Sequence, residues 1–369
     1  MENPFVFGEP VRGDKFINRK REVERLKAYI LSGRNVILYS PRRFGKTSLI
    51  LKAIEDLRND IIPIFIDCYA ITSREELAEE ITRKVLKSYS SFSEAVKRLL
   101  ANIQASVMIK TEYGIDFEVK FKKSSESWKD ALDLPQKLAE DRRKRVVVVF
   151  DEFQELSKFE GLLKVLRSKL QLHDKVSYVF VGSKRHLMEW IFRSKESPFY
   201  NFGAHMVLKE IPKEDFKAYI MKAFEMGEIE IKEDVVDYIL SLTKCHPYYT
   251  QRLCFELWYL GKTKGKVEKD DVDEVFEDLV SDLENSFILL WETLTPNQRK
   301  VLIMIAAGEK DLFSGETIRK YNLRSPSSVQ SALKKLIEKE IVSKNDTYKI
   351  SDVFLEYWIR ERFIEGKLY

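Results

Sequence analysis

No apolar run in this 369-residue chain approaches the length needed to span a bilayer. The opening segment Met1-Glu-Asn-Pro-Phe-Val-Phe7 lacks the basic stretch and apolar core of a secretion signal. The expected compartment is the cytoplasm, with no membrane among the partners. Cysteine is scarce. Cys68, Cys245 and Cys254 fall at no metal-ligand spacing and the four histidines are scattered, which argues against a zinc site or a disulfide framework. An excess of one charge is also missing. A formal net charge of +4 is too small for wholesale nucleic-acid binding, so such contact needs a local patch. Low-complexity tracts and internal repeats are absent.

What is present supports globular domains. A hydrophobic content of 44%, with 12% aromatic residues, is ample for buried cores, and 369 residues exceed one ordinary core. The 33% charged fraction, with Lys and Glu interspersed, resembles a heat-adapted surface of ion-pair networks, although a merely soluble surface looks similar.

The most informative stretch is Ser40-Pro-Arg-Arg-Phe-Gly-Lys-Thr47. It follows the apolar run Asn35 to Tyr39 and opens the periodic segment Ser48 to Leu57. A buried strand, a tight loop, Gly-Lys-Thr and a helix make a phosphate cradle. In it Ser40, Pro41, Arg42, Arg43, Phe44, Gly45 and Ser48 surround the phosphates. Lys46 reaches the β and γ groups, and the Thr47 hydroxyl holds Mg²⁺. The first Gly of the usual pattern is replaced by Ser40, which tolerates the turn if its φ stays negative. Arg42 and Arg43 read by default as exposed cations, with a neighbouring subunit or nucleic acid as alternatives.

Four consecutive valines, Val146 to Val149, lead through Phe150 to Asp151 and Glu152. Such a run is typical of a central parallel strand buried on both faces. An Asp at its tip lies beside the phosphate loop and ligates Mg²⁺, directly or through water. A neighbouring Glu polarises the water that attacks the γ-phosphate. The competing reading of the pair is a helix cap.

Periodicity places helices over Arg19 to Leu31, Thr72/Ser73 to Leu86, Phe92 to Ser106, Trp128 to Arg142 (interrupted near Pro135) and Leu162 to Leu172. Strands are expected over Asn35–Tyr39, Ile61–Asp67, Val146–Phe150, Ser177–Ser183 and Met206–Leu208. Val107 to Lys123 alternates around Tyr113-Gly114 like an inserted β-hairpin. The class is α/β with a parallel sheet. From Pro212 to about Ser286 the pattern is helical only.

The remainder spells three helices and a hairpin, a winged helix. Thr295 caps the first helix, Ser314 to Tyr321 is the second, and Ser325-Pro-Ser-Ser starts the third. Ile341 to Ile350 turns at Asn345-Asp346, and Val353 to Phe363 is a last, strongly apolar helix. The third helix carries Ser328, Gln330, Ser331, Lys334 and Lys335 outward, with Lys344 on the wing and Arg324 just before the helix. These suit DNA phosphate contacts, and a protein-docking role suits them equally.

The set Phe16-Ile-Asn-Arg19…Glu22, Pro41 to Ser48, Val149-Phe-Asp-Glu-Phe-Gln-Glu-Leu156, Val181-Gly-Ser183 and His246-Pro-Tyr-Tyr249 resembles the archaeal-type ATPases of the AAA+/STAND branch of P-loop NTPases. The resemblance implies a sheet of order 5-1-4-3-2 within residues 1–211, a helical lid at 212–290, a winged helix at 291–369, and ATP or ADP with Mg²⁺. It implies that Asn18 and Arg19 touch the adenine side, that Ser183 reads the γ-phosphate or water, and that His246 and Pro247 pack on base and ribose. An ordinary helix cap at Asn18 and a packed polar residue at His246 are the alternatives. The family often has an Arg near 197–202, where this chain reads Asn201-Phe202, so slow hydrolysis is expected; Arg185 and Arg193 are the nearby cations. Two functions compete: an ATP-hydrolysing switch, with homo-oligomers open to it, and a non-catalytic scaffold holding its nucleotide.

Overall fold

Within Arg19–Lys209, one of two compact units of this computed structural model, helices alternate with the strands of a parallel sheet. The structure describes residues 2–11, 13, 16–17, 19–89, 94–100, 103, 105–110, 116–121, 126–344 and 347–366. In chain order this unit holds α1 (Lys20–Leu31), β1 (Val36–Tyr39), α2 (Lys46–Asp56), β2 (Ile61–Asp67), α3 (Arg74–Leu86) and α4 (Glu94–Leu100). A hairpin of β3 (Ala105–Lys110) and β4 (Asp116–Phe121) follows, then α5 (Trp128–Ala131), α6 (Leu134–Arg142) and β5 (Arg145–Asp151). The unit ends with α7 (Leu162–Leu170), β6 (Val176–Gly182), α8 (Arg185–Arg193) and β7 (Ala204–Val207).

The sheet runs β7-β1-β6-β5-β2, every neighbour parallel. The labels depart from 5-1-4-3-2 only because the inserted hairpin contributes two strands that pair with each other. Val146 to Phe150 are almost completely buried, each such side chain contributing about 1.5–3 kcal/mol of transfer free energy. Register sets Tyr39 beside Gly182 and Asp67 beside Asp151. Ser40, Ser183, Asp151 and Asp67 therefore line up along the C-terminal edge, where ligands of open α/β sheets bind.

Several boundaries differ from the pattern. The helix expected to reach Ser106 ends at Leu100, because Ala105–Lys110 pairs as a strand with Asp116–Phe121 and Phe117, Val119 and Phe121 are buried. The break near Pro135 falls earlier, between α5 and α6, and the proline sits in the first turn of α6, where no amide is needed. β7 begins at Ala204, whose amide donates to the Asn35 carbonyl at 2.8 Å. Phe92, Lys123, Asn18 and the expected turns at Tyr113-Gly114 and Asn345-Asp346 lie outside the described residues.

The second unit joins Met1–Asn18 to Glu210–Tyr369. It contains α9 (Lys213–Met226), β8 (Glu230–Ile231), α10 (Glu233–Leu242), α11 (Pro247–Lys264), β9 (Lys266–Val267), α12 (Lys269–Asp282) and α13 (Glu284–Glu292). α14 (Pro296–Ala306), α15 (Gly315–Lys320), α16 (Pro326–Glu338), β10 (Val342–Lys344), β11 (Tyr348–Ile350) and α17 (Val353–Phe363) complete it. A two-residue parallel bridge between β8 and β9 interrupts the helices-only reading. Thr295, Ser314 and Ser325 cap α14, α15 and α16 with side-chain bonds. One hydrophobic core runs from α9 to α17, with Phe354 of α17 packed 5.0 Å from Tyr249 and 5.2 Å from Phe276. Among the described residues no helix is long and apolar enough to cross a membrane.

Candidate functional site

The loop between β1 and α2 turns through left-handed backbone at Arg43 (φ 65°) and Gly45 (φ 82°). Ser40 stays at negative φ, is fully buried, and donates its amide to the Gly182 carbonyl at 3.4 Å, so serine meets the turn without strain. Gly45 precedes α2 with no side chain to cap it and open space where a Cβ would stand. The first turn of α2, at the positive end of the helix dipole, opens directly after this glycine. The buried Lys46 ammonium donates to the carbonyls of Ser40 (2.9 Å) and Pro41 (3.1 Å), which holds it on the loop. Thr47 is half-buried in the first turn; Arg42 and Arg43 are exposed.

Across the edge, Asp151 ends β5 and Glu152 adopts left-handed backbone (φ 50°, ψ 43°). Phe153 fixes that kink by packing 4.7 Å from Phe180 and 5.4 Å from Phe199. Glu152 Oε2 accepts from the Ser183 hydroxyl (2.8 Å), the Ser183 backbone amide (3.3 Å) and the side-chain Nε2 of buried Gln154. Gly182 is required there: a Cβ would lie 2.5 Å from Gln154 Oε1 and from Met188 Cγ and Sδ. The adjacent Glu155 is gripped by Lys158 and by Lys184 (2.9 Å). Burial pushes the Glu155 carboxyl up, and these two lysines more than reverse the shift.

Burial raises the Asp151 carboxyl above its ordinary value, and the Glu152 charge adds to this. The Glu152 amide (3.0 Å from Oδ1) and the Lys46 ammonium oppose the rise. The Lys46 influence puts the phosphate loop and the acidic strand tip within electrostatic reach of each other. Burial, then Asp151, Asp67, Glu152 and Glu155 in turn, push the Cys68 thiol far up, so it stays protonated and cannot act as a thiolate ligand. Oxygen donors stand at this edge: Asp67 and Asp151 side by side in register, and Thr47 in the first turn of α2. Such a set suits Mg²⁺, which takes one or two carboxylates and completes its shell with phosphates and water.

A raised Asp151 has a consequence for stability. With its folded value above the unfolded one, the folded state binds more protons, so stability falls as pH rises through that window and the whole cost is present at neutral pH. Asp151→Asn is expected to raise the thermal midpoint of the nucleotide-free protein at pH 7. Scanning calorimetry checks this, and a lowered midpoint would make Asp151 a stabilising partner instead.

Sequence reasoning singled out Lys46, Asp151, Glu152 and Ser183, and the fold brings all four to one edge. Arg19 is buried and donates to the carbonyls of Phe44 (3.2 Å) and Lys209 (2.8 Å). His246 belongs to the other unit, where its Nδ1 caps α11 by accepting from the Tyr248 amide at 3.2 Å, with Pro247 in the first turn. Arg185 pairs with Glu189 (3.0 Å), and Arg193 is exposed at the end of α8. Asn201 takes left-handed φ 54°, a conformation that Asn tolerates. Gln154 and Glu155 lie within a quoted motif and Asp67 ends an expected strand, but the sequence assigns none of them a role; only closeness to Asp151 in chain or register signals one.

Comparison with known proteins identifies the family and the fold. A sequence model of the ATPase domain found predominantly in Archaea matches residues 16–253, more than half the chain, and one for a winged helix domain matches 285–361. An uncharacterized protein of Methanocaldococcus jannaschii is 24% identical over 94% of this chain and 69% of its own length. The Walker-type ATPase of Pyrococcus abyssi superposes with a TM-score of 0.70 at 19% identity, covering 97% of this chain and 99% of that one. The ORC1 protein of Aeropyrum pernix, solved in complex with DNA, gives 0.51 at 15% identity over 96% of both chains. With the phosphate loop, the acidic strand tip and the C-terminal module all in place, the chain belongs to the family of ATPase domains found predominantly in Archaea and carries a winged helix domain.

Proposed function

We infer that the protein binds ATP with Mg²⁺ at this edge, hydrolyses it slowly, and passes the nucleotide state to its winged helix. The observation that carries the reading is the grip of Ser183 and Gln154 on Glu152 Oε2, beside Asp151 and the buried Lys46. The amides of the loop and of the first turn of α2 hold phosphate oxygens, and Lys46 neutralises them. Mg²⁺, held by Thr47 and Asp151, supplies charge neutralisation for the developing phosphoryl charge. Glu152 orients and deprotonates water through its other carboxylate oxygen while Oε2 stays anchored. Ser183 ties that anchor to the end of β6. Asn18 and Arg19 on the adenine side, and His246 with Pro247 against base and ribose, are further parts of the reading, as is the three-part division at 211/212 and 290/291. Multiple-turnover phosphate release tests it; release of a single equivalent with ADP retained would favour the scaffold, which the saturated Oε2 also suits.

For the winged helix we favour duplex DNA. Ser327, Gln330, Ser331, Lys334 and Lys335 are exposed on α16, with Arg324 before it and Lys344 and Lys349 on the wing. Cations and small hydroxyls on one module suit phosphate contacts. Each contacted phosphate adds about 0.9 to the slope of log affinity against log salt. Lys334→Ala with Lys335→Ala is expected to flatten the slope by roughly two and weaken binding uniformly across sequences. Electrophoretic shifts at two salt concentrations, in ATP, ADP and no nucleotide, measure this. Indifference to both lysines would favour a protein partner.

A further inference from the structure

The chain passes between its two units only twice, at 18/19 and at 209/210, and Arg19 stands at both passages. It begins the core at the first, and its guanidinium holds the last core residue at the second, donating to the Lys209 carbonyl at 2.8 Å. The same nitrogen, Nη2, donates to the Phe44 carbonyl at 3.2 Å, inside the phosphate loop and one residue before Gly45. Glu22 lies 3.6 Å from Nη1. One buried cation therefore clamps both chain passages to the loop that faces the phosphates.

Arg19 is not there for its helix. It occupies the N-cap position of α1, where Ser, Thr, Asp or Asn is preferred, and makes no side-chain capping bond. Taking a guanidinium out of water is costly, and only its bonds offset that cost. The guanidinium works through both terminal nitrogens: Nη2 reaches the two carbonyls while Nη1 lies beside Glu22, a spread that a single ammonium nitrogen does not cover.

What lies beyond each passage is bolted down. On one side, Phe5 is buried against Tyr219 (5.8 Å) and Phe224 (5.4 Å). Asn3 donates to the Phe255 carbonyl at 3.0 Å, and Tyr219 to the Pro4 carbonyl at 3.0 Å. On the other, Ile211, two residues past Lys209, is already buried in the core of the helical unit. On the Lys209 side only Glu210 separates the clamp from that buried anchor, so a displacement there has a short path to α9.

We propose that Arg19 is the positioning residue that couples the phosphate loop to the helical and winged-helix unit. The inference rests on the nucleotide-binding reading above. Phosphates drawing on the loop amides move the Phe44 carbonyl, the guanidinium follows or lets go, and both passages shift together. The loop thereby acquires two arrangements that a nucleotide and a winged-helix partner each bias.

The test measures the distance between the units. Leu172→Cys in the core and Leu289→Cys in the helical unit place spin labels at strongly exposed sites, with Cys245→Ser removing the one native thiol that is not buried. Double electron–electron resonance is recorded without nucleotide and at saturating ADP and ATP, beside a titration with a fluorescent ATP analogue. The labelled parent is expected to change its distance distribution with nucleotide. Arg19→Met is expected to lose that change at saturation, and Arg19→Lys to keep only part of it. Saturation removes any affinity effect, and a purely structural role would lower the melting temperature without touching the nucleotide-dependent shift. If Arg19→Met does not fold, Arg19→Lys carries the test. A full-sized shift in either variant overturns the coupling, as does a parent that binds the analogue without any shift. A parent that fails to bind the analogue overturns the nucleotide reading as well, and the titration tells the two failures apart.

Discussion

Glu152→Gln is expected to lower kcat for ATP hydrolysis by roughly 10²- to 10⁴-fold, the usual contribution of a positioned general base. Glutamine is nearly isosteric and fits the left-handed backbone as well as glutamate does. Its amide oxygen still accepts from Ser183 and Gln154, so the anchor survives with weaker bonds. Only the charge and the basicity go. Their removal also relieves Asp151, whose carboxyl is held up in part by the Glu152 charge. Asp151 then ionises more readily and becomes a better magnesium ligand. The variant should therefore bind Mg²⁺ and ATP at least as tightly as the parent while failing to turn over. Isothermal titration and a phosphate-release assay separate the two quantities. A variant that retains more than about a tenth of the parental rate would remove Glu152 from the base role.

The parts of this site that could be read from the chain are those encoded by local pattern. A β-branched run ending in Asp151-Glu152 declares a central strand with its tip, and Gly-Lys-Thr after an apolar strand declares an anion cradle. Alternating strands and helices leave few topologies, because right-handed crossovers dominate. Ser183 was legible only through the family resemblance, which also implied the strand order that sets its strand beside β1. The unread parts are side chains gripping distant backbone. No periodicity ties Arg19 to Phe44 or to Lys209, since the second pair is 190 positions apart. Nothing in Phe5 announces that it packs on Tyr219 and Phe224. Gln154 sits two residues from Glu152 in a 3-10 turn, where spacing alone does not tell which way a side chain points.

These unread contacts share a physical character. Each is a polar or aromatic grip on a segment that bears chemistry: Gln154 on the base, Arg19 on the phosphate loop, Phe153 on the kink that carries Glu152. The strands fix positions to within a residue, and the grips fix orientation. Orientation is what a preorganised site requires, because donors must already point where charge develops.

Lys46→Ala removes the largest single positive charge at the edge and is expected to weaken ATP binding by about 2–3 kcal/mol, roughly 30- to 150-fold. In the nucleotide-free protein Lys46 serves two structural ends as well. Its ammonium satisfies the carbonyls of Ser40 and Pro41, and it helps keep Asp151 ionised. The substitution should thus cost about 1–2 kcal/mol of apo stability through the lost bonds. It should also drive the Asp151 carboxyl further up, because the Lys46 charge that opposes burial there is gone. The sign of the pH effect follows. Magnesium needs the ionised carboxylate, so the pH at which Mg²⁺-dependent nucleotide binding falls off should move upward in the variant. Titrations with a fluorescent ATP analogue at several pH values read both the affinity and that displacement. Parental affinity in Lys46→Ala would mean that the loop is not the phosphate cradle. A weakened affinity with an unmoved pH profile would keep the cradle and break the electrostatic link between Lys46 and Asp151, so the two halves of the site can fail separately.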